Sequence, residues 1–184
     1  GNIGDILCRS GDIDEATKMY QRQLALARHG RERSMEAAAC GALGLAHRLV
    51  KKFDKALGYH TQELTLRQEL LDVYGQTRAH GHLGAVHMAL GNYNHAVQCY
   101  QEQLERAQEL QDRAIEAQAY GNLGIGRLNM GHFEEAIGYL EQQMATLEQV
   151  NLPTVQHDRA RALGHLGDCY DALGDFEEGI KCHE

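Results

Sequence analysis

Proline is nearly missing from this chain, with Pro153 alone in 184 residues, and no stretch alternates apolar and polar residues. Together these leave little room for strands and point to helix as the regular structure. No apolar run approaches the ~18 residues of a membrane span, and no segment resembles a signal peptide. Basic excess is lacking too, since 18 lysines and arginines face 26 acidic residues for a net charge of −8. A general binder of nucleic acid or of anionic membranes carries the opposite balance. Neither kind of partner is expected. The five cysteines (Cys8, Cys40, Cys99, Cys169, Cys182) are odd in number and hold no Cys-x-x-Cys pair. They read as packing residues of a protein in a reducing compartment, with a cytoplasmic or nuclear location expected.

What the chain has in abundance is glycine, and it is placed with a period. A Gly-x-x-Gly recurs as GNIG at Gly1, GALG at Gly41, GHLG at Gly81, GNLG at Gly121 and GHLG at Gly164, spaced by 40 residues and finally by 43. Seven residues after the second glycine comes a turn glycine, Gly11, Gly91, Gly131 or Gly174, with Lys51 as the exception. Two further on stands Ile13, Phe53, Tyr93, Phe133 or Phe176, which accounts for all three phenylalanines. Three beyond that is a small residue: Ala16, Ala56, Ala96, Ala136 or Gly179. Such a register identifies an array of units that bury their apolar faces against neighbours.

Each unit reads as two amphipathic helices about a tight turn. In the fourth copy, Phe133, Ala136, Ile137, Leu140, Met144, Leu147 and Val150 step by three and four, giving one broad apolar stripe. A glycine inside a helix is unfavourable by roughly 1 kcal/mol against alanine. Two on one turn make sense where a partner packs too closely for a Cβ, and Ala136 is the expected partner of Gly121 and Gly124. Helices are expected over about 13–27, 34–50, 53–71, 74–90, 93–110, 112–130, 133–150, 155–173 and from 176 onward, after a partial helix at 1–10. Ser34 is the expected N-cap of the third, and His29-Gly30 the stop before it. The units fall at 1–30, 31–71, 72–110, 111–151 and 152–184. The chain opens and closes within a unit and is expected to be part of a longer protein.

The Leu-Gly dyad, the Gly-x-aromatic-x-x-Ala turn and the leucine eight residues later (Leu24, Leu64, Leu104, with Met144 in the fourth copy) resemble the tetratricopeptide (TPR) repeat family. HEAT and armadillo arrays share a similar period but lack the dyad. The resemblance implies an all-α solenoid, a right-handed superhelix of antiparallel helix pairs with about four and a half repeats. There are departures. The early aromatic of the first helix is replaced by Cys40, His80, Tyr120 and Leu163, and a second small residue in the second helix by Gln23, Glu63, Gln103 and Gln143. Forty-residue units with a polar residue there resemble the Pins-type spindle-orientation adapters. Segments such as DRAIEAQAYGNLG and CYQEQLERAQEL resemble large mitotic scaffolds of the same family. That likeness implies further repeats and a caspase-like domain elsewhere, sites at the centrosome, spindle midzone and midbody, and a mitotic kinase partner.

The first helices offer one face for ligands. Its predicted lining is Leu45, Arg48, Arg78, His82, Ala85 and Met88 in the earlier copies, then Asn122, Ile125, Leu128, Arg161 and His165. An apolar floor with basic and amide groups along it suits a peptide segment of a partner protein, with arginines and asparagine pinning carboxylates or backbone. Gly121 is assigned to the same side, where it would let a partner backbone approach. The Lys/Asn carboxylate clamp of TPR co-chaperones is missing, its places being held by Gly41, Ala42, Leu45 and Ala85. Eleven histidines raise metal binding, and His47, His80, His82 and His87 are the densest group. No H-E-x-x-H or i, i+4 pair exists among them, so no metal is expected. No cofactor or catalytic residue is expected either. The alternative to a peptide groove is a structural spacer or a self-association segment.

Overall fold

The computed structural model describes residues 13–150 and 155–183, so GNIG, Gly11, Cys8, Pro153 and the partial helix at 1–10 lie outside the described residues. Every described element is a helix. They are α1 (Ile13–His29), α2 (Arg33–Leu49), α3 (Phe53–Glu69), α4 (Val73–Ala89), α5 (Tyr93–Glu109), α6 (Arg113–Asn129), α7 (Phe133–Leu147), α8 (Val155–Leu173) and α9 (Phe176–His183).

The 40-residue period has a simple origin. Helices α2 to α6 are each 17 residues long, and three residues join each to the next. Two helices and two connections make the repeat. The connections at 50–52, 70–72, 110–112 and 130–132 close with the same pair of backbone bonds, one to the carbonyl five residues back and one to the carbonyl three back. Lys52 N–H donates to His47 O (2.9 Å) and Lys51 N–H to Arg48 O (3.0 Å), and His132 with Gly131 repeats this on Arg127 and Leu128. This helix ending requires one residue with positive φ. Gly91, Gly131 and Gly174 take it at φ 74 to 82°, and Lys51 takes the same slot at 58°.

The turns between repeats use a second such slot, filled by Arg31 (56°), Leu71 (54°) and Gln111 (56°). Gly30, the expected stop, is therefore displaced by one: it extends the last turn of α1 through a bond to Leu26 O (2.9 Å), and Arg31 makes the reversal. Ser34 also proves to lie inside α2, whose cap position is Glu32 with no side-chain cap bond. The starts of α4 and α6 are better capped than those of α2, α3 and α5. Asp72 accepts from Gly75 N–H, and Asp112 from the amides of Ala114 and Ile115, as short acidic side chains do for unpaired first-turn donors.

The chain divides into two compact units, the first ending at Leu90 and the second beginning at Gly91. In the first, α1 packs on α2, α2 on α3 and α3 on α4. Its core gathers Ala16, Tyr20, Leu24, Cys40, Leu43 and Leu66. In the second, α5 to α9 pack in chain order, with Ala136, Leu140, Leu166 and Cys169 at the centre and Leu128, Ile137 and Met144 against them. Burying one such leucine contributes roughly 1.5–3 kcal/mol. The recurrent alanines Ala16, Ala56, Ala96 and Ala136 have no exposed surface.

Candidate functional site

In the second and fourth copies the glycine pairs do what their spacing predicts, with a different set of partners, whereas Gly164 of the last copy has nothing within 4 Å of its Cβ position. A Cβ on Gly124 would stand 2.7 Å from Leu140 Cγ and 3.4 Å from the backbone oxygen of Ala136. Leu140, beside the expected Ala136, thus fills the space. A Cβ on Gly121 would stand 2.7 Å from Gln143 Cδ. Gly121 is buried, so it faces its own repeat partner and not a ligand. The same holds for Gly41, which faces Glu63, and for Gly44, which faces the His60 ring. Here lies the reason for the polar residue in the second helix: the first glycine leaves room for a long side chain where a small one is the family rule. Glu63, Gln103 and Gln143 are all buried.

In the first unit that room holds an ionisable cluster. His60 Nδ1 lies 3.0 Å from Glu63 Oε2, and His82 Nδ1, arriving from α4, lies 3.4 Å from the same oxygen. The two imidazole rings are 4.8 Å apart. His60 is fully buried, Glu63 nearly so, and the His82 side chain is 20% exposed. Burial pushes the Glu63 carboxyl up, but the hydrogen bonds from His60 and His82 outweigh it and hold the group at about 2. Burial dominates for His60 and lowers its pKa, the bond to Glu63 opposing. At neutral pH the cluster is a carboxylate receiving imidazole N–H bonds. Sequence reasoning missed it by grouping His82 with His47, His80 and His87. His60 sits on the other helix of its repeat, and only packing of α3 against α4 joins it to His82. His47 instead stacks on Tyr59 at 5.4 Å.

Glu63 and His82 open onto a cavity of about 210 Å³, with Tyr20, Leu45, Arg67 and Arg78 also in its wall. Arg67 is held by Asp72 at 2.8 Å, whereas Arg78 is exposed. Of the predicted lining, Leu45, Arg78 and His82 thus come together, while Arg48, Ala85 and Met88 are half-buried outside this wall. In the second unit a cavity of about 330 Å³ is walled by Ile115, Gln118, Leu147, Val155, Asp158 and Arg161, among others. Arg161 pairs with Asp158 at 2.9 Å and His165 faces Asp168 at 3.6 Å. Both basic groups are answered on their own helix. Leu128 packs into the core, and Asn122 and Ile125 are half-buried outside that cavity.

A further column of buried polar residues recurs along the first helices. Glu36 and Glu116, 80 residues apart, are buried and paired with Arg33 (3.1 Å) and Arg113 (2.6 Å). The buried Gln76 fills the intervening copy and donates to Arg67 O at 3.2 Å. A hydrogen bond from Arg28 is the main cause of a lowered Glu36 pKa, with burial opposing it. Burial raises the thiols of Cys40 and Cys169 to about 11 and keeps these two protonated at neutral pH.

Comparison with known proteins fits this geometry. A model of the tetratricopeptide repeat matches residues 1–69 and 76–149, and a second matches residues 160–184. A search of curated proteins finds no match. Among solved structures, BtubC (BKLC) from P. vanneervenii superposes with a TM-score of 0.89 at 22% identity, over 97% of this chain and 73% of that one. A putative kinesin light chain with nearly identical TPR-like repeats from Podosopora anserina gives 0.82 at 16% identity, over 98% and 88%. A Rap protein complexed with Competence and Sporulation Factor gives 0.78 at 17% identity, over 97% of this chain and 49% of that one.

Proposed function

The chain belongs to the tetratricopeptide repeat family, and from that membership we propose that it is a non-enzymatic protein–protein interaction scaffold that holds peptide segments of partner proteins on its first-helix face. The observation that carries this reading is the cavity of the first unit, where Tyr20 and Leu45 stand beside Arg67, Arg78 and His82. Apolar wall and cation in one hollow suit a segment with a carboxylate next to an apolar side chain. The groove assigned from sequence (Leu45, Arg48, Arg78, His82, Met88, Asn122, Ile125, Leu128, Arg161, His165) and the five-unit division of the chain form part of this proposal. The fold admits such use: one structural neighbour is a Rap protein complexed with Competence and Sporulation Factor.

The finer reading rests on wording. Segments of this chain resemble tetratricopeptide repeat protein 28 and the Pins-like class, which supports a cytoplasmic scaffold at the centrosome, spindle midzone and midbody with a mitotic kinase among its partners. Affinity capture from mitotic extract with wild-type chain and with Arg78→Glu plus Asn122→Ala tests the scaffold reading. Loss of the same proteins from the variant is expected, and an unchanged set would overturn the groove.

A second reading, self-association, is favoured by one observation. Leu173, Phe176 and Ile180 on α8 and α9 are exposed, an apolar patch of the kind that pairs copies. Sedimentation at rising concentration should show dimer in the wild type and less in Phe176→Glu. A strictly monomeric wild type would remove this reading.

A further inference from the structure

His60, Glu63 and His82 place three donor atoms within 4.8 Å of one another, and we propose that they bind one divalent transition-metal ion of the zinc class. The donor set is two imidazoles and a carboxylate, which such ions accept at about 2.0–2.2 Å. In a tetrahedral site, bonds of that length put neighbouring donors roughly 3.3–3.5 Å apart. The two separations to Glu63 Oε2, 3.0 and 3.4 Å, bracket the lower end of that range. Two ligands are fixed one helical turn apart on α3, and the third comes from α4, so the ion would tie the two helices together. Glu63 and His82 line the 210 Å³ cavity, which leaves the fourth position to solvent.

Packing alone explains these residues poorly. His60 is wholly buried and its Nε2, the ring nitrogen other than the one beside Glu63, lacks a hydrogen-bond partner, so as a packing residue it is less favourable than an apolar side chain of similar size. A Cβ on Gly44 would stand 2.5 Å from that ring and one on Gly41 would stand 2.7 Å from Glu63 Cδ, so the backbone leaves a cradle for both groups. The fourth repeat fills the equivalent cradle with Leu140 and Gln143, which shows that the fold itself does not need the ionisable set.

The test uses the whole chain, stripped with chelator and titrated with Co²⁺ followed by its visible absorption, then with Zn²⁺ in competition. One ion per chain is expected, displaced by Zn²⁺. His82→Ala, at a half-buried position, should weaken binding at least about tenfold. His60→Leu with Glu63→Gln, which installs the filling of the fourth repeat, should abolish it while the helical circular dichroism is kept. His165→Ala should change nothing. No stoichiometric uptake by the wild type, or uptake equally strong in His82→Ala and in the double variant, would overturn the site. Because no partner protein enters this titration, its result is independent of the scaffold reading.

Discussion

The second and fourth repeats use one backbone device for two purposes. Both place glycines a turn apart on the first helix, and both receive a side chain of the second helix into the space. In the fourth repeat the receivers are Leu140, with no exposed surface, and Gln143, and the outcome is core. In the second they are His60 and Glu63, and His82 from the next repeat completes a charged cluster. His165, which occupies His82's place in the last copy, turns to Asp168 on its own helix instead. What the comparison teaches is that the repeat fixes where side chains meet, while a few substitutions decide whether the meeting is packing or chemistry.

The largest expected effect falls on the apolar filling. Leu140→Ala should cost about 2–5 kcal/mol in urea or thermal unfolding, the range for emptying a buried leucine site. A loss under 1 kcal/mol would mean that the cradle closes without it. Next come the glycines. Gly124→Ala forces a Cβ against Leu140 and the Ala136 carbonyl and should destabilise by about 1–3 kcal/mol. Gly138→Ala, on the exposed side of α7 with nothing within 4 Å, should stabilise by roughly 0.5–1 kcal/mol through helix propensity. Equal signs for the two would break the link between glycine and close approach. Smallest is Lys51→Gly. Its φ of 58° suits glycine, and a gain of about 0.5–1 kcal/mol is expected in the same assay.

The helices were legible because 17-residue amphipathic segments repeat in register, so one copy's stripe could be checked against the others. Turn glycines were legible for the same reason, and Lys51 was recognisable as the residue standing in a glycine slot. What failed was reading orientation within a helix. Gly121 falls on the side opposite the Tyr120, Leu123 and Gly124 stripe and is therefore expected on the ligand face, whereas Gln143, 22 residues away, is buried against it. Its burial follows only from the missing Cβ opposite. Serine favours the cap position, which makes Ser34 the expected start, yet the reversal at Arg31 puts the cap at Glu32, two residues earlier. His60 was passed over because its neighbours in sequence are not its neighbours in space. The signal was present: Glu63 and Gly41 recur 22 residues apart as Gly121 and Gln143 do, and His60 stands where the fourth copy has leucine.

The most direct measurement is the pH dependence of stability, in chelator, for wild type against His60→Leu with Glu63→Gln. His60 titrates lower in the fold than in the unfolded chain, so the unfolded state binds more protons below about pH 6.5. Stability conferred by neutral His60 is therefore present above that pH and lost as pH falls toward the folded value. Glu63, held at about 2, keeps its contribution until pH drops below about 4.5 and loses it toward the folded value. His47, also lowered chiefly by burial, remains in both chains and adds the same slope to each. Urea unfolding at pH 7.5 and 5.5 should show a clear loss in the wild type and a smaller one in the double variant, which stays folded at both. An unfolded double variant, or two chains with equal loss, would contradict the claim that one glycine cradle accepts either filling.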